Sequence, residues 1–161
     1  MRFRGKVWRH IPAGGYPAPL GYSIKARGRW NRAGVYGCLY TSLSKKGAVA
    51  EYEKLCRKAA FNKEGLGERE LVSLDVDIAH VLDLTDHENG IVDPKASFLT
   101  GDTPEDIERC RQLADYVRQA GFNGLISPSA ALEGERNLTI YFDGIASEVN
   151  IQPGDDHILL A

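Results

Sequence analysis

Only two stretches of this chain repeat apolar residues at helical spacing, and the other patterned segments alternate as strands do, which narrows the fold more than any other feature. The clearer helix follows Thr103, which reads as an N-cap. Pro104 takes the first helical position, Asp106 falls three residues after the cap, and Ile107, Cys110, Ala114 and Val117 share one face. Gly121 supplies the stop. The other helix starts after Ser44 and runs over about residues 45–60, with Ala48, Tyr52, Leu55 and Ala59 on one stripe. Strand patterns cover residues 7–11, 35–42, 71–78, 81–84, 123–127, 138–142 and 149–152, separated by loops at 12–19, 62–70 and 128–137. Many strands, two main helices and no regular βαβ alternation predict an α+β fold with mixed sheets. A length of 161 residues, with no repeat and no Pro/Ser-rich linker, predicts one compact domain over residues 1–161.

Charge is distributed unevenly along the chain. Residues 1–60 carry 13 Lys and Arg against two acids, Glu51 and Glu53, for a net +11; residues 61–161 carry 7 against 20, for a net −13. The two halves either neutralise each other in the fold or leave a basic surface for an anion. Direct nucleic-acid binding ranks low, because the total is −2 and no recognisable binding module is present. The uncharged stretches 10–24 and 119–132 are short and broken by Gly and Pro, which predicts no membrane span. Without an apolar run behind the basic N-terminus, the expected location is the cytoplasm. Cys38, Cys56 and Cys110 lack CxxC spacing and are expected to be reduced thiols; the four histidines form no HExxH pair, so no metal site is expected.

The phosphate loop GxxxxGK[ST], the GxGxxG fingerprint and the GxSxG elbow are all absent, which removes their reaction classes. What remains is three clusters: Gly28-Arg29-Trp30-Asn31 with Gly34; Leu39-Tyr40-Thr41-Ser42 with Glu51 in the following helix; and Ser127-Pro128-Ser129-Ala130 with Arg136-Asn137. Singly, each has a plain explanation. An Arg beside a Trp stacks on its ring at many surfaces, and a Ser after a Pro is a turn residue. Glu51 and Glu53 flank the apolar stripe equally closely, so helical geometry does not choose between them.

Together the clusters resemble the RES-domain family, in family order and over about residues 7–142. The family is named for an Arg, a Glu and a Ser, which here fall at Arg29, Glu51 and Ser129. The resemblance implies a fold similar to ADP-ribosyltransferases and a reaction on NAD+ with release of nicotinamide. NAD+ would be the substrate and no separate cofactor is implied. It also implies the toxin role in a bacterial toxin–antitoxin pair, with an Xre-type helix-turn-helix antitoxin as partner and a homodimer as a further option. The site expected from it comprises Arg29, Tyr40, Glu51 and Ser129 as the reacting set, with Arg29, Asn31, Tyr40, Ser129 and Asn137 holding the dinucleotide.

The residue types suit this chemistry. Nicotinamide leaves a cationic pyridinium without needing a proton, so the task is to stabilise an oxocarbenium-like ribose carbon, which a carboxylate such as Glu51 can do electrostatically. The planar donor fork of Arg29 suits a pyrophosphate. Hydrolysis, phosphorolysis and transfer of ADP-ribose to a protein all remain open at this level, as does a non-catalytic nucleotide-binding or interaction module.

Overall fold

A computed structural model of the chain describes residues 1–15, 28–58, 67–142 and 148–160. In chain order these form β1 (Phe3–Pro12), β2 (Cys38–Ser42), α1 (Lys45–Lys58), β3 (Arg69–Ile78), β4 (Val81–Asp83), a 3-10 turn (Ser97–Leu99), α2 (Pro104–Gln119), β5 (Gly124–Pro128), β6 (Arg136–Tyr141) and β7 (Val149–Leu160). Among the described residues the strands make one seven-stranded sheet in the order β4-β5-β6-β2-β1-β3-β7. The β4–β5 pair is parallel and the other neighbours are antiparallel. The fold is therefore the expected α+β domain with a mixed sheet and two main helices.

Two cores lie on opposite faces of β2, β5 and β6, as the two-residue period of a strand requires. On one face Cys38, Leu125 and Tyr141 pack with Phe98 and Leu99 of the 3-10 turn and with Cys110, Ala114 and Val117, the stripe read from the α2 sequence. On the other, Leu39, Ile126, Leu138 and Ile140 meet Val7, Leu74, Val76 and Ile78 of β1 and β3. β5 and β6 are not neighbours of β1 and β3 in the sheet, so the sheet curls over and closes this core with strand residues. The curl is tight at Gly124, where a Cβ would lie 3.1 Å from Val81, 3.3 Å from Leu138 and 3.4 Å from Ile78.

β1 and β6 start earlier than the strand patterns, at Phe3 and Arg136, and three elements differ more substantially from the sequence reading. β2 begins at Cys38 and not at residue 35, because Gly34 takes a positive φ of 77° and residues 33–36 turn, leaving Val35 65% exposed. The 3-10 turn is too short to show a period. β7 continues well past residue 152, through Pro153. The pairing with β3 jumps from Leu74↔Pro153 to Val72↔His157, and the extra residues bulge around Ser73. Proline is tolerated there because β7 is the sheet edge. Gly154 is needed in the bulge, since a Cβ would lie 2.2 Å from the Ser73 hydroxyl oxygen. The expected helix end at 59–60 and the loop residues 16–19 and 62–66 fall outside the described residues, as do Lys25 and Arg27.

Much of the charge asymmetry is cancelled within the fold. Arg2 pairs with Asp77 at 2.6 Å, Lys6 with Asp156 at 3.0 Å, and Arg32 with both Glu108 and Asp115 at 2.9 Å.

α2 starts as its sequence specifies: the Thr103 side chain accepts from the Asp106 N–H, the Asp106 side chain accepts from the Thr103 N–H, and Pro104 follows the cap. Thr103→Ala is expected to cost about 1 kcal/mol, read as a fall in Tm of about 2–4 °C. An unchanged melting curve would show that the cap contributes nothing.

Candidate functional site

A cleft of about 580 Å³ is bounded by α1, α2 and the sheet, and is lined by residues from all three sequence clusters. Its volume is in the range of small-molecule sites. Glu51 is among the lining residues. The structure makes the choice that periodicity left open: Glu51 is half-buried and faces the cleft, whereas Glu53 is exposed. Glu51 Oε1 accepts from the Ser129 hydroxyl at 3.2 Å and from the Asn137 amide at 2.9 Å. Both donors fall on this oxygen, and Oε2 takes none among the described residues. The carboxylate is thus oriented from one side.

The local chain positions these donors. α1 buries Gly47, Ala48 and Ala50, small residues that let its N-terminal half sit close against β1 and β2. Ser44 caps it, accepting from the Gly47 N–H at 2.9 Å and donating to Glu135 Oε2 at 2.7 Å. The Ser129 N–H in turn donates to the Glu135 carbonyl at 2.9 Å. The start of α1 and the 129–135 loop are therefore held as one unit. Ser129 is buried, and its hydroxyl accepts from the Ala131 and Leu132 N–H groups at 3.1 and 3.2 Å while donating to Glu51. With its lone pairs and proton all engaged, it orients Glu51. Asn137 pairs with Ser42 across β2 and β6, and its amide oxygen is buried without a partner.

Tyr40 and Asn31 belong together. The Tyr40 hydroxyl donates to Asn31 Oδ1 at 2.6 Å and accepts from the Trp30 N–H at 2.9 Å; the Tyr141 hydroxyl donates to the Trp30 carbonyl at 2.9 Å. Burial pushes the Tyr40 hydroxyl well above its ordinary pKa, so it stays protonated. Its ring lines the cleft and lies so near residue 28 that a Cβ there would come within 2.5 Å, which is why this position is glycine. Asn31 is fully buried and lies outside the cleft lining, and its Oδ1 accepts from Tyr40.

Arg29 lines the cleft, but most of its fork is used by the protein. Nη1 donates to the carbonyls of Phe98 and Gly101, and Nη2 to Asp102 Oδ1 at 2.9 Å. The lining also includes groups that the sequence reading did not single out: Lys54, Lys58, His10, Arg69, Asp102 and Arg111. Lys54 and Lys58 could have been found, because they lie three and seven residues after Glu51 on one helix face. Asp102 and Arg69 become neighbours only through the tertiary fold.

His10 Nδ1 accepts from Arg69 Nε at 2.9 Å, and its ring packs edge-on against Tyr52. Burial first, then the charges of Arg69 and Arg9, push its pKa down to about 4. A neutral folded imidazole that titrates near 6.5 when unfolded contributes stability above pH 6.5, and this is lost as the pH falls toward 4. Between pH 7 and pH 5 the wild type is expected to lose about 2 kcal/mol more than His10→Asn, which keeps an acceptor but does not titrate. Equal pH dependence in the two proteins would refute this. Cys38 is pushed up to about 12 by burial and Cys110 is raised by it, so neither presents a thiolate.

Among the described residues, no three His, Cys, Asp or Glu side chains gather as a metal site. Among the described residues, no helix is long and apolar enough to cross a membrane.

The structure is that of an α+β protein with a cleft, lined in part by Glu51, between two helices and a curled sheet. The chain belongs to the RES domain family, whose model matches residues 6–159, thus including β7. Its fold is similar to that of MbcT in the crystal structure of the M. tuberculosis MbcT-MbcA toxin-antitoxin complex. The TM-score is 0.75 at 18% identity, over 99% of this chain and 85% of that one. No curated protein matches the chain by sequence.

Proposed function

We propose that this protein cleaves the bond between nicotinamide and ribose in NAD+, and that it does so as the toxin of a bacterial toxin–antitoxin pair. The observation that carries the reaction is the Glu51 carboxylate, oriented through Oε1 by Ser129 and Asn137 in a cleft also lined by Arg29, Lys54, Lys58, Arg69 and Arg111. As the C1′–N bond breaks, its electron pair leaves with neutral nicotinamide and positive charge develops at the ribose carbon. A fixed carboxylate stabilises that charge better than solvent, because its orientation is set before the reaction. Water, phosphate or a protein nucleophile then forms the new C1′–O or C1′–N bond and gives up its proton. Tyr40 offers a ring face to the ribose or nicotinamide end. Ser129 and Asn31 act indirectly, through Glu51 and Tyr40.

Membership of the RES domain family and a fold shared with a chain of a toxin–antitoxin complex support the toxin role. The fitting partner is a helix-turn-helix antitoxin of the Xre type, and the fitting location is the cytoplasm, where NAD+ is found. Incubation with NAD+, with and without phosphate and with cell lysate, tests the reading. Free ADP-ribose identifies hydrolysis, ADP-ribose-1″-phosphate phosphorolysis, and labelled protein transfer. NAD+ left intact while calorimetry still detects its binding would overturn catalysis in favour of a binding module.

A further inference from the structure

Asp102 sits on two cations brought from different parts of the fold. Its Oδ1 accepts from Arg29 Nη2 at 2.9 Å and from Lys54 Nζ at 3.1 Å. Burial here is the reverse of an ordinary surface pair: the cationic side chains keep only 11% and 16% of their exposure, whereas the carboxylate keeps 52%. The cations therefore belong to the cleft wall, and the anion rests on them from the solvent side. Each cation has a separate anchor. Arg29 Nη1 is held by the Phe98 and Gly101 carbonyls, and Lys54 reaches the Ala130 carbonyl at 3.3 Å.

The backbone that carries Asp102 is fixed independently. Gly101 packs against the Asp106 carboxylate so closely that a Cβ would lie 2.0 Å from it, and Thr103 and Asp106 close the capping box of α2. The capping box engages the Thr103 and Asp106 N–H groups and Pro104 has none, so the anion site rests on the two side-chain cations and not on the helix end. Asp102 can leave the two cations by side-chain rotation into water, without moving the helix. Its single charge faces those of Arg29 and Lys54, with Lys58 also acting on it. A diphosphate, with more charge and more oxygens, complements that set better than one carboxylate oxygen.

We infer that Arg29 and Lys54 form a diphosphate-binding subsite, which the Asp102 carboxylate occupies in the ligand-free protein and vacates when a nucleotide diphosphate binds. This rests on the reading of the cleft as a dinucleotide site and adds to it a built-in competitor that sets the affinity. The experiment is calorimetric titration of the full chain with inorganic pyrophosphate, in the wild type, Asp102→Asn, Asp102→Ser and Lys54→Gln. Removing the competing charge is expected to tighten binding about threefold to tenfold in both Asp102 variants, and Lys54→Gln to weaken it by a similar factor, given the modest strength of part-exposed ion pairs. Asp102 variants that bind no more tightly than the wild type, or a Lys54→Gln variant that binds equally well, would overturn it. ADP-ribose is expected to compete with pyrophosphate. Competition by inorganic phosphate but not by ADP-ribose would assign the subsite to free phosphate and overturn the diphosphate assignment. Nicotinamide release from NAD+, scored in parallel, separates the two readings. Release with pyrophosphate affinity indifferent to Asp102 sinks the subsite alone, and the expected affinity changes without release sink the reaction alone.

Discussion

Glu51→Gln is expected to lower nicotinamide release from NAD+ by at least about 100-fold in kcat, while the protein stays folded. The substitution isolates charge. The glutamine amide oxygen can still accept from Ser129 and Asn137, as Oε1 does. Its NH₂ group takes the place of Oε2, so volume and anchoring hydrogen bonds persist and only the negative potential facing the ribose carbon disappears. Because the barrier lies in developing positive charge, the loss should appear in kcat more than in KM. Release within about threefold of the wild type would remove Glu51 from its proposed role.

Arg29→Lys should lower the stability of the chain by about 2 kcal/mol, since hydrogen bonds from a charged donor contribute about 1.5–3 kcal/mol. For a chain of this size that is a fall in Tm of about 4–8 °C. The guanidinium reaches the Phe98 and Gly101 carbonyls with one nitrogen and Asp102 with another, and its Nη1 lies 3.8 Å from Cys110 Sγ. An ammonium is a point donor and cannot span those positions. The residue therefore joins the Gly28–Asn31 segment to the loop before α2 as well as facing the cleft. Thermal unfolding of Arg29→Lys within about 1 °C of the wild type would show that this bracing is unimportant.

The parts of the fold legible in the sequence are those fixed by neighbouring residues. Thr103, Pro104 and Asp106 specify the start of α2 through contacts three residues apart, so the structure reproduces them. The strand pattern covers only 149–152, whereas β7 runs to Leu160; the edge position and the bulge around Ser73 make Pro153 and Gly154 acceptable in a strand. The parallel pairing of β4 with β5 has no local signal at all. In the site, Arg29, Tyr40, Glu51 and Asn137 do line one cleft, whereas Ser129 and Asn31 lie beneath it. The choice of Glu51 over Glu53 depends on Ser129 and Asn137, which a helical wheel does not contain. Lys54, one helical turn from Glu51, needed the loop at Asp102 before its position acquired a meaning.

The separation between the groups that orient Glu51 has a consequence for how the protein is made. Asn137 is 86 residues downstream of Glu51 and reaches it only after β6 has paired with β2. At a ribosomal rate of about 5–20 residues per second, the carboxylate is synthesised roughly 4–17 s before its second anchor exists. A nascent or truncated chain that ends before β6 contains Arg29, Tyr40 and Glu51 but not the assembled site. Competence arrives only after the segment that bears Asn137 has followed Glu51 out of the ribosome and β6 has paired with β2.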